Sequence, residues 1–335
     1  MPFSWIGKVF GISAKKIYNW YKNHLSDFRE EKTQSKLHEF DSIDKTLIDK
    51  ETKKEKIIPV PIFESKNLGR DMAIDDKNLN GEGYTIISNK KTGKIFLMIM
   101  TRKAKIIREL ILNHIPYEAR LRVVSISKDL AYGYDWIANT CFSNAQKIAD
   151  KFHIIKLALE ALQAVRIRIR QEFLTKERKL KKSRKRKTTV FSNGETRKEL
   201  LSRARYLLFK SKEEWTDSQR ERANIFLKLY PEVRLAYDLI CQFRLFYKTP
   251  IGDKNKAKYL LMKWYKVAGK SNISEIKNFA NTVKRHECEI LNYFNQGHTN
   301  AFAESLNSKL QRFIIATYGF KDRDFFHFRV KKYFS

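Results

Sequence analysis

The sequence predicts an α/β fold with a small sheet, a large all-α insertion and a helical hairpin in front of both. Three observations predict it. Between residues 70 and 129, apolar residues come in strand-length runs separated by turn residues. From residue 154 to 295 the apolar spacing changes to that of amphipathic helices. Residues 3–25 hold two short helical stretches on either side of Gly11.

Composition narrows the class of partner. The chain has 335 residues, 42% of them hydrophobic and 13% aromatic, which is enough to build two or three globular regions. Sixty-eight Lys and Arg face 37 Asp and Glu, leaving a formal charge of +31. Solubility alone needs far less, so the excess implies a polyanionic partner. There is no run of eighteen apolar residues to span a membrane. The start, MPFSWIGKVFG, lacks the apolar stretch and small-residue cleavage site of a secretion signal. Cys141, Cys241 and Cys288 are too widely spaced for a disulfide framework or a zinc cluster and read as thiols in a reducing compartment. Nucleic acid is therefore the expected partner.

In the N-terminal hairpin, Ile6, Val9 and Phe10 mark the first helix and Gly11 stops it. Ser13 is placed to cap the second, which carries Ile17, Trp20 and Tyr21. Lys15, Lys16, Tyr18 and Asn19 are then free for a major groove, with Ile17 and Trp20 packed inward. This predicts a helix-turn-helix over 1–25, with Lys15, Lys16 and Asn19 as DNA contacts. Residues 26–65 read as a charged linker ending near Pro59 and Pro61. Strands follow at Arg70–Asp76, Tyr84–Asn89, Lys94–Met100 and Leu121–Asp129, with helices over Ala104–Asn113 and Ala131–Asn139 and a last strand at Gln146–Asp150. Residues 66–153 are thus the first part of the sheet region, 154–296 the insertion, and 297–335 the returning C-terminal helices. Within the insertion, nine of the twelve residues 176–187 are cationic: Lys176, Arg178, Lys179, Lys181, Lys182, Arg184, Lys185, Arg186 and Lys187. Such a run reads as a solvated arm or loop that neutralises phosphates.

Three acidic positions stand out. Asp75 (beside Asp76) and Asp129 end the first and fourth strands, and Glu304 lies early in a C-terminal helix. There Phe302, Leu306, Leu310 and Phe313 form the apolar stripe, leaving Glu304 on another face. Ligands collect beyond the carboxyl ends of strands, so Asp75 and Asp129 meet if their strands are parallel neighbours. Three converging carboxylates repel one another unless hard cations such as Mg²⁺ lie between them.

The wording around these residues resembles the DDE transposases of bacterial insertion sequences, of the ISL type. The matching stretches are IDD (Ile74–Asp76), KDLA (Lys128–Ala131), FSNA (Phe142–Ala145), DKFH (Asp150–His153), AESLNSK (Ala303–Lys309) and YGFKDRDFFHFR (Tyr318–Arg329). The resemblance implies an RNase H-like catalytic core, a mixed sheet with flanking helices, interrupted by the all-α insertion. It implies that Asp75, Asp129 and Glu304 are the catalytic and metal-binding triad, holding two Mg²⁺ ions for which Mn²⁺ can substitute. Asp76, Asp150 and His153 fall on family positions that shape the site or fix the next helix. The sequence departs from the pattern at Asp76, where Glu is usual, at Ser143, which replaces Pro, and at Lys128. The last would set a cation beside a metal-binding Asp unless it points toward DNA.

The leading expectation is a transposase that cuts at the terminal repeats of its element and joins a 3′-hydroxyl to target DNA, working as a homo-oligomer on DNA. A short N-terminal region leaves room for a separately encoded recognition protein. The alternatives are an inactive copy that binds DNA as a repressor, and a nuclease on the same fold.

Overall fold

The computed structural model describes residues 3–31, 46–48, 57–79, 81–182, 189–295, 306, 308–313 and 322–335. The chain forms two compact units, residues 1–148 with 299–335 and residues 149–298.

The first unit is built on a sheet. Its main strands are β4 (Asp71–Leu79), β5 (Glu82–Asn89), β6 (Ile95–Ile99), β7 (Ser125–Lys128) and β8 (Gln146–Ala149). With β3 (Ile62–Phe63) they lie in the order β3-β6-β5-β4-β7-β8. The meander β4-β5-β6 is antiparallel, and β7 then runs parallel to β4. All of β6 is buried, as expected of an apolar strand covered on both faces.

One face carries Met72, Ile74, Ile87, Leu97 and Ile126, packed against Ile107, Leu110 and Ile111 of α3 (Ala104–His114) and Tyr134, Ile137 and Ala138 of α5 (Tyr132–Cys141). The other presents Ile62, Leu79, Tyr84, Ile86 and Met98 to Leu306, Leu310, Phe326 and Val330. The last two belong to α13 (Arg323–Phe334). Leu306 and Leu310 are buried and Phe313 packs against the same cluster, as the apolar stripe predicts; Phe302 lies outside the described residues.

Several elements differ from the sequence expectation. Tyr117–Leu121 is a short helix, α4, so β7 starts only at Ser125. In the expected linker, β2 (Ile57–Pro59) pairs with β1 (Thr46–Ile48), and Ile58, Val60 and Ile62 are buried. Pro59 and Pro61 obscure this pattern, yet proline is tolerated at a strand edge where no donor is required.

The N-terminal helices are α1 (Phe3–Phe10) and α2 (Ala14–Trp20), joined through Gly11 at φ +63°. A Cβ on Gly7 would stand 2.3 Å from the Ile12 carbonyl oxygen, so glycine permits the tight return. Ser13 caps α2 by accepting from the Lys16 N–H at 3.3 Å. The packed stripe, however, is not the expected one. Trp20 is 45% exposed, and Val9 and Phe10 are exposed as well. Tyr18 and Tyr21 instead pack edge-on to Phe325 of α13, with Phe3 and Phe28 alongside. Arg329 binds this cluster together, its guanidinium 4.7 Å from the Phe313 ring centroid, 5.6 Å from Tyr21 and 5.7 Å from Phe3. The partner lies some 300 residues away in sequence, so local spacing could not choose between the two adjacent stripes.

The described residues of the second unit are almost wholly helical. The long α6 (Lys151–Lys182) packs against α7 (Arg197–Leu208), α9 (Pro231–Phe246) and α11 (Ser274–Arg285). Also present are α8 (Asp217–Leu229), α10 (Lys254–Lys270) and α12 (Glu287–Asn292). Its centre is aromatic: Phe243 lies 4.8 Å from Trp264 and 4.9 Å from Phe279, ring centroid to centroid.

Candidate active site

The register of β4 against β7 builds the site. Asp71 pairs with Ser125, Met72 with Ile126 and Ala73 with Ser127, a constant offset of 54 residues. Continued by two residues, that offset brings Asp75 level with Asp129. Asp75 is not at a strand end as expected: β4 continues to Leu79. It is β7 that stops, at Lys128, so Asp75 sits where β4 has lost its parallel neighbour and is paired only with β5. Both aspartates therefore lie at the carboxyl end of the parallel pairing, the position where ligands gather in such sheets.

Strand alternation sorts the two adjacent aspartates onto opposite faces. Asp75 shares a cross-strand row with Ile86 and Met98, the row that packs against Leu306 and Leu310. Glu304 lies outside the described residues; Leu306, Leu310 and Phe313 pack on this face. Asp76 occupies the opposite face. Its Oδ1 accepts from the Tyr134 hydroxyl and from Thr85 Oγ1 at 3.0 Å, and Arg102 Nε stands 3.4 Å from Oδ2. Burial, followed by the hydrogen bond to Asp76, pushes the Tyr134 phenol well above its ordinary pKa, so it stays a donor. The Asp76 N–H in turn donates to Asp75 Oδ1 at 2.8 Å. Asp76 thus braces β4 from behind Asp75. Tyr134, Thr85 and Arg102 carried no signal in the sequence, because each meets Asp76 only through sheet pairing or the packing of α5.

Asp129 accepts from the Ala131 N–H at 2.8 Å, a turn that leads into α5. Lys128 beside it has a fully buried side chain. Alternation aims it with Ile126 at α5, where Nζ lies 2.7 Å from Asp135 Oδ1; it also donates to the Asp129 carbonyl at 3.3 Å. A buried ammonium is tolerable when paired in this way. The cation is thus buried against α5 and tied to the Asp129 backbone.

Asp150 and His153 belong to the helical unit. Asp150 Oδ1 accepts from the Phe152 N–H at 2.9 Å, capping the start of α6. His153 Nδ1 stands 3.8 Å from Asp150 Oδ2. Of the expected DNA contacts, Lys15, Lys16 and Asn19 are exposed on α2. The basic run begins as helix rather than loop: α6 continues to Lys182, with Lys176, Arg178 and Lys179 exposed. Helix propensity of Lys, Arg and Leu favours this continuation where no packing opposes it. Residues 183–187 lie outside the described residues.

Comparison with known proteins agrees with this frame. A family model for transposases, of the DDE ISL3 type, matches residues 72–330. The transposase for insertion sequence element IS1557 of Mycobacterium tuberculosis, in strains CDC 1551/Oshkosh and ATCC 25618/H37Rv, is 28% identical over 210 residues. That match covers 61% of this chain and 46% of the relative, so the chain spans about half the length of the curated relatives it matches. No solved structure matches. The family match takes in Asp75, Asp129, the helical unit and residue 304, and the chain belongs to the ISL3 family of DDE transposases.

Proposed function

We propose that this chain carries the catalytic and DNA-binding parts of a transposase that cleaves DNA at the ends of its insertion sequence and joins the 3′-hydroxyl to target DNA. The observation that carries this reading is the parallel β4–β7 pairing, which ends at Ala73 and Ser127, two residues before Asp75 and Asp129 respectively. The antiparallel meander followed by a parallel strand supports an RNase H-like core.

Asp75, Asp129 and Glu304 would hold two Mg²⁺ ions, or Mn²⁺ in their place. The donor set fits, being hard carboxylate oxygens that leave room for water and phosphate. When bound, such ions supply an activated oxygen nucleophile and a counter-charge for the oxygen that leaves phosphorus. The protein's own part is positioning. Asp76, held by Tyr134 and Thr85, fixes the strand behind Asp75, and the buried Lys128–Asp135 pair fixes the turn that displays Asp129. The hairpin α1–α2 would act as a helix-turn-helix reading the terminal repeat through Lys15, Lys16 and Asn19. The cationic end of α6 would follow phosphates, and a homo-oligomer would hold the DNA ends together.

The test is Asp129→Asn and Glu304→Gln in a Mg²⁺-dependent cleavage assay on terminal-repeat duplex. Loss of cleavage with duplex binding retained is expected, and an amide variant that cuts at the wild-type rate removes that residue from the site. Wild-type cutting without joining would indicate a nuclease, and binding without cutting a repressor.

A further inference from the structure

The helical unit contains a second cationic surface, separate from the run at the end of α6. Helix α10 (Lys254–Lys270) has six lysines and no acidic residue. Ala257, Leu261, Trp264 and Ala268 form its buried stripe. Lys256, Lys263, Lys266 and Lys270 are all exposed and recur at i, i+7, i+10 and i+14, with exposed Tyr259 at i+3. At 100° per residue these five positions fall within one narrow stripe facing away from the buried one.

Two further features set the stripe apart. Several other cations of this unit are neutralised internally: Arg168 by Glu232 and Glu275, Arg203 and Arg222 by Glu195, Lys212 by Asp238. Among the described residues no carboxylate pairs with the four stripe lysines. The helix beneath is also firmly seated. The Trp264 indole N–H donates to the Leu239 carbonyl at 2.8 Å, and its ring packs on Phe243. Lys263 Nζ stands 4.4 Å from the Tyr259 ring centroid, which limits the freedom of that side chain.

We infer that this face of α10 is a docking surface for the phosphate backbone of duplex DNA, additional to α2 and to the end of α6. From Lys256 to Lys270 the stripe runs about 21 Å. Duplex DNA carries one phosphate charge per roughly 1.7 Å of axis, so a duplex of equal length offers more than enough partners for four ammonium groups. Lysines act here as point charges toward phosphate and carry no base preference, so the surface adds affinity without sequence choice. The inference rests on the DNA-processing reading above.

The experiment is a salt titration of binding to a random-sequence duplex by the full chain, over roughly 50 to 200 mM salt. The variant replaces Lys256, Lys263, Lys266 and Lys270 with Gln, which keeps helix propensity nearly constant. A control removes the same four charges from the sheet unit, at Lys66, Lys91, Lys94 and Lys331. The stripe variant should flatten the slope of log K against log[salt] by about 3 to 4, at roughly 0.9 per lost contact, and the control by less than about 1. An unchanged slope, or equal flattening by both variants, overturns the inference. A wild-type slope near zero would instead overturn the DNA reading itself.

Discussion

The two units of this chain hold their charged groups in opposite ways. In the sheet unit the candidate catalytic groups are few and acidic: Asp75 and Asp129 lie just beyond the parallel β4–β7 pairing, backed by Asp76 and by the Lys128–Asp135 pair. In the helical unit charge is built into the packing. Glu195 is nearly buried and accepts from Arg222 at 2.6 and 2.8 Å and from Arg203 at 2.8 Å, joining α8 and α7. Arg168 of α6 ties Glu232 of α9 to Glu275 of α11. The difference shows where sequence change should be felt. We expect Asp75 and Asp129 to matter to chemistry more than to folding, and Glu195 and Arg168 to folding.

The sharpest way to break that contrast is Asp75→Asn against Glu195→Gln. Asp75→Asn should cut Mg²⁺-dependent cleavage by about 10²–10⁴-fold, since lost charge stabilisation is worth several kcal/mol, while the melting temperature hardly moves. Glu195→Gln should do the reverse. It leaves the partly buried Arg222 without its counter-charge, while exposed Arg203 keeps Glu199, and costs about 3 kcal/mol of stability, with the folded fraction still cutting. Paired melting and cleavage assays would show equal effects if the contrast is false.

Acid should separate the units too. His327 of α13 lies 3.0 Å from the Tyr84 hydroxyl, and burial, helped by Arg323 and opposed by Asp324, pushes its pKa down to about 4. The unfolded chain, with a histidine near 6.5, therefore takes up this proton first. Stability is full above pH 6.5 and falls between 6.5 and 4, by on the order of 3 kcal/mol. Glu195, held to about 2 chiefly by Arg222, contributes stability above pH 4.5 that is lost as pH falls toward 2. Denaturant melts from pH 7 to 3 should show an upper loss that His327→Gln removes and a lower one that Glu195→Gln removes. Insensitivity of the upper loss to His327→Gln would exclude this origin.

A smaller effect sharpens the picture of the N-terminal hairpin. Tyr18→Ala empties a site between Phe3 and Phe325 and should cost about 2–4 kcal/mol. Trp20→Ala removes a side chain that is 45% exposed and should cost under about 1 kcal/mol. The opposite ranking in urea melts would restore the inward-facing Trp20 expected from spacing.

Much of this molecule is legible without its structure. The meander, the change to helical spacing after residue 150, the buried Leu306 and Leu310 and the cationic excess follow from side-chain period and composition, which are local properties. Short motifs in the sequence single out Asp75 and Asp129. What only the tertiary structure decided are relations between distant residues. The β4–β7 pairing ends two residues before both Asp75 and Asp129, and strand alternation turns Asp76 toward Tyr134. Packing of α5 gives Lys128 its buried partner, and α13 selects Tyr18 over Trp20. On α10, among the described residues, no carboxylate pairs with four lysines, in a unit that neutralises several of its other cations. The physical reason is one of range. Helix and strand periods repeat every 3.6 and 2 residues, so a sequence displays which face is apolar, while the partner that meets each polar group arrives from tens to hundreds of residues away.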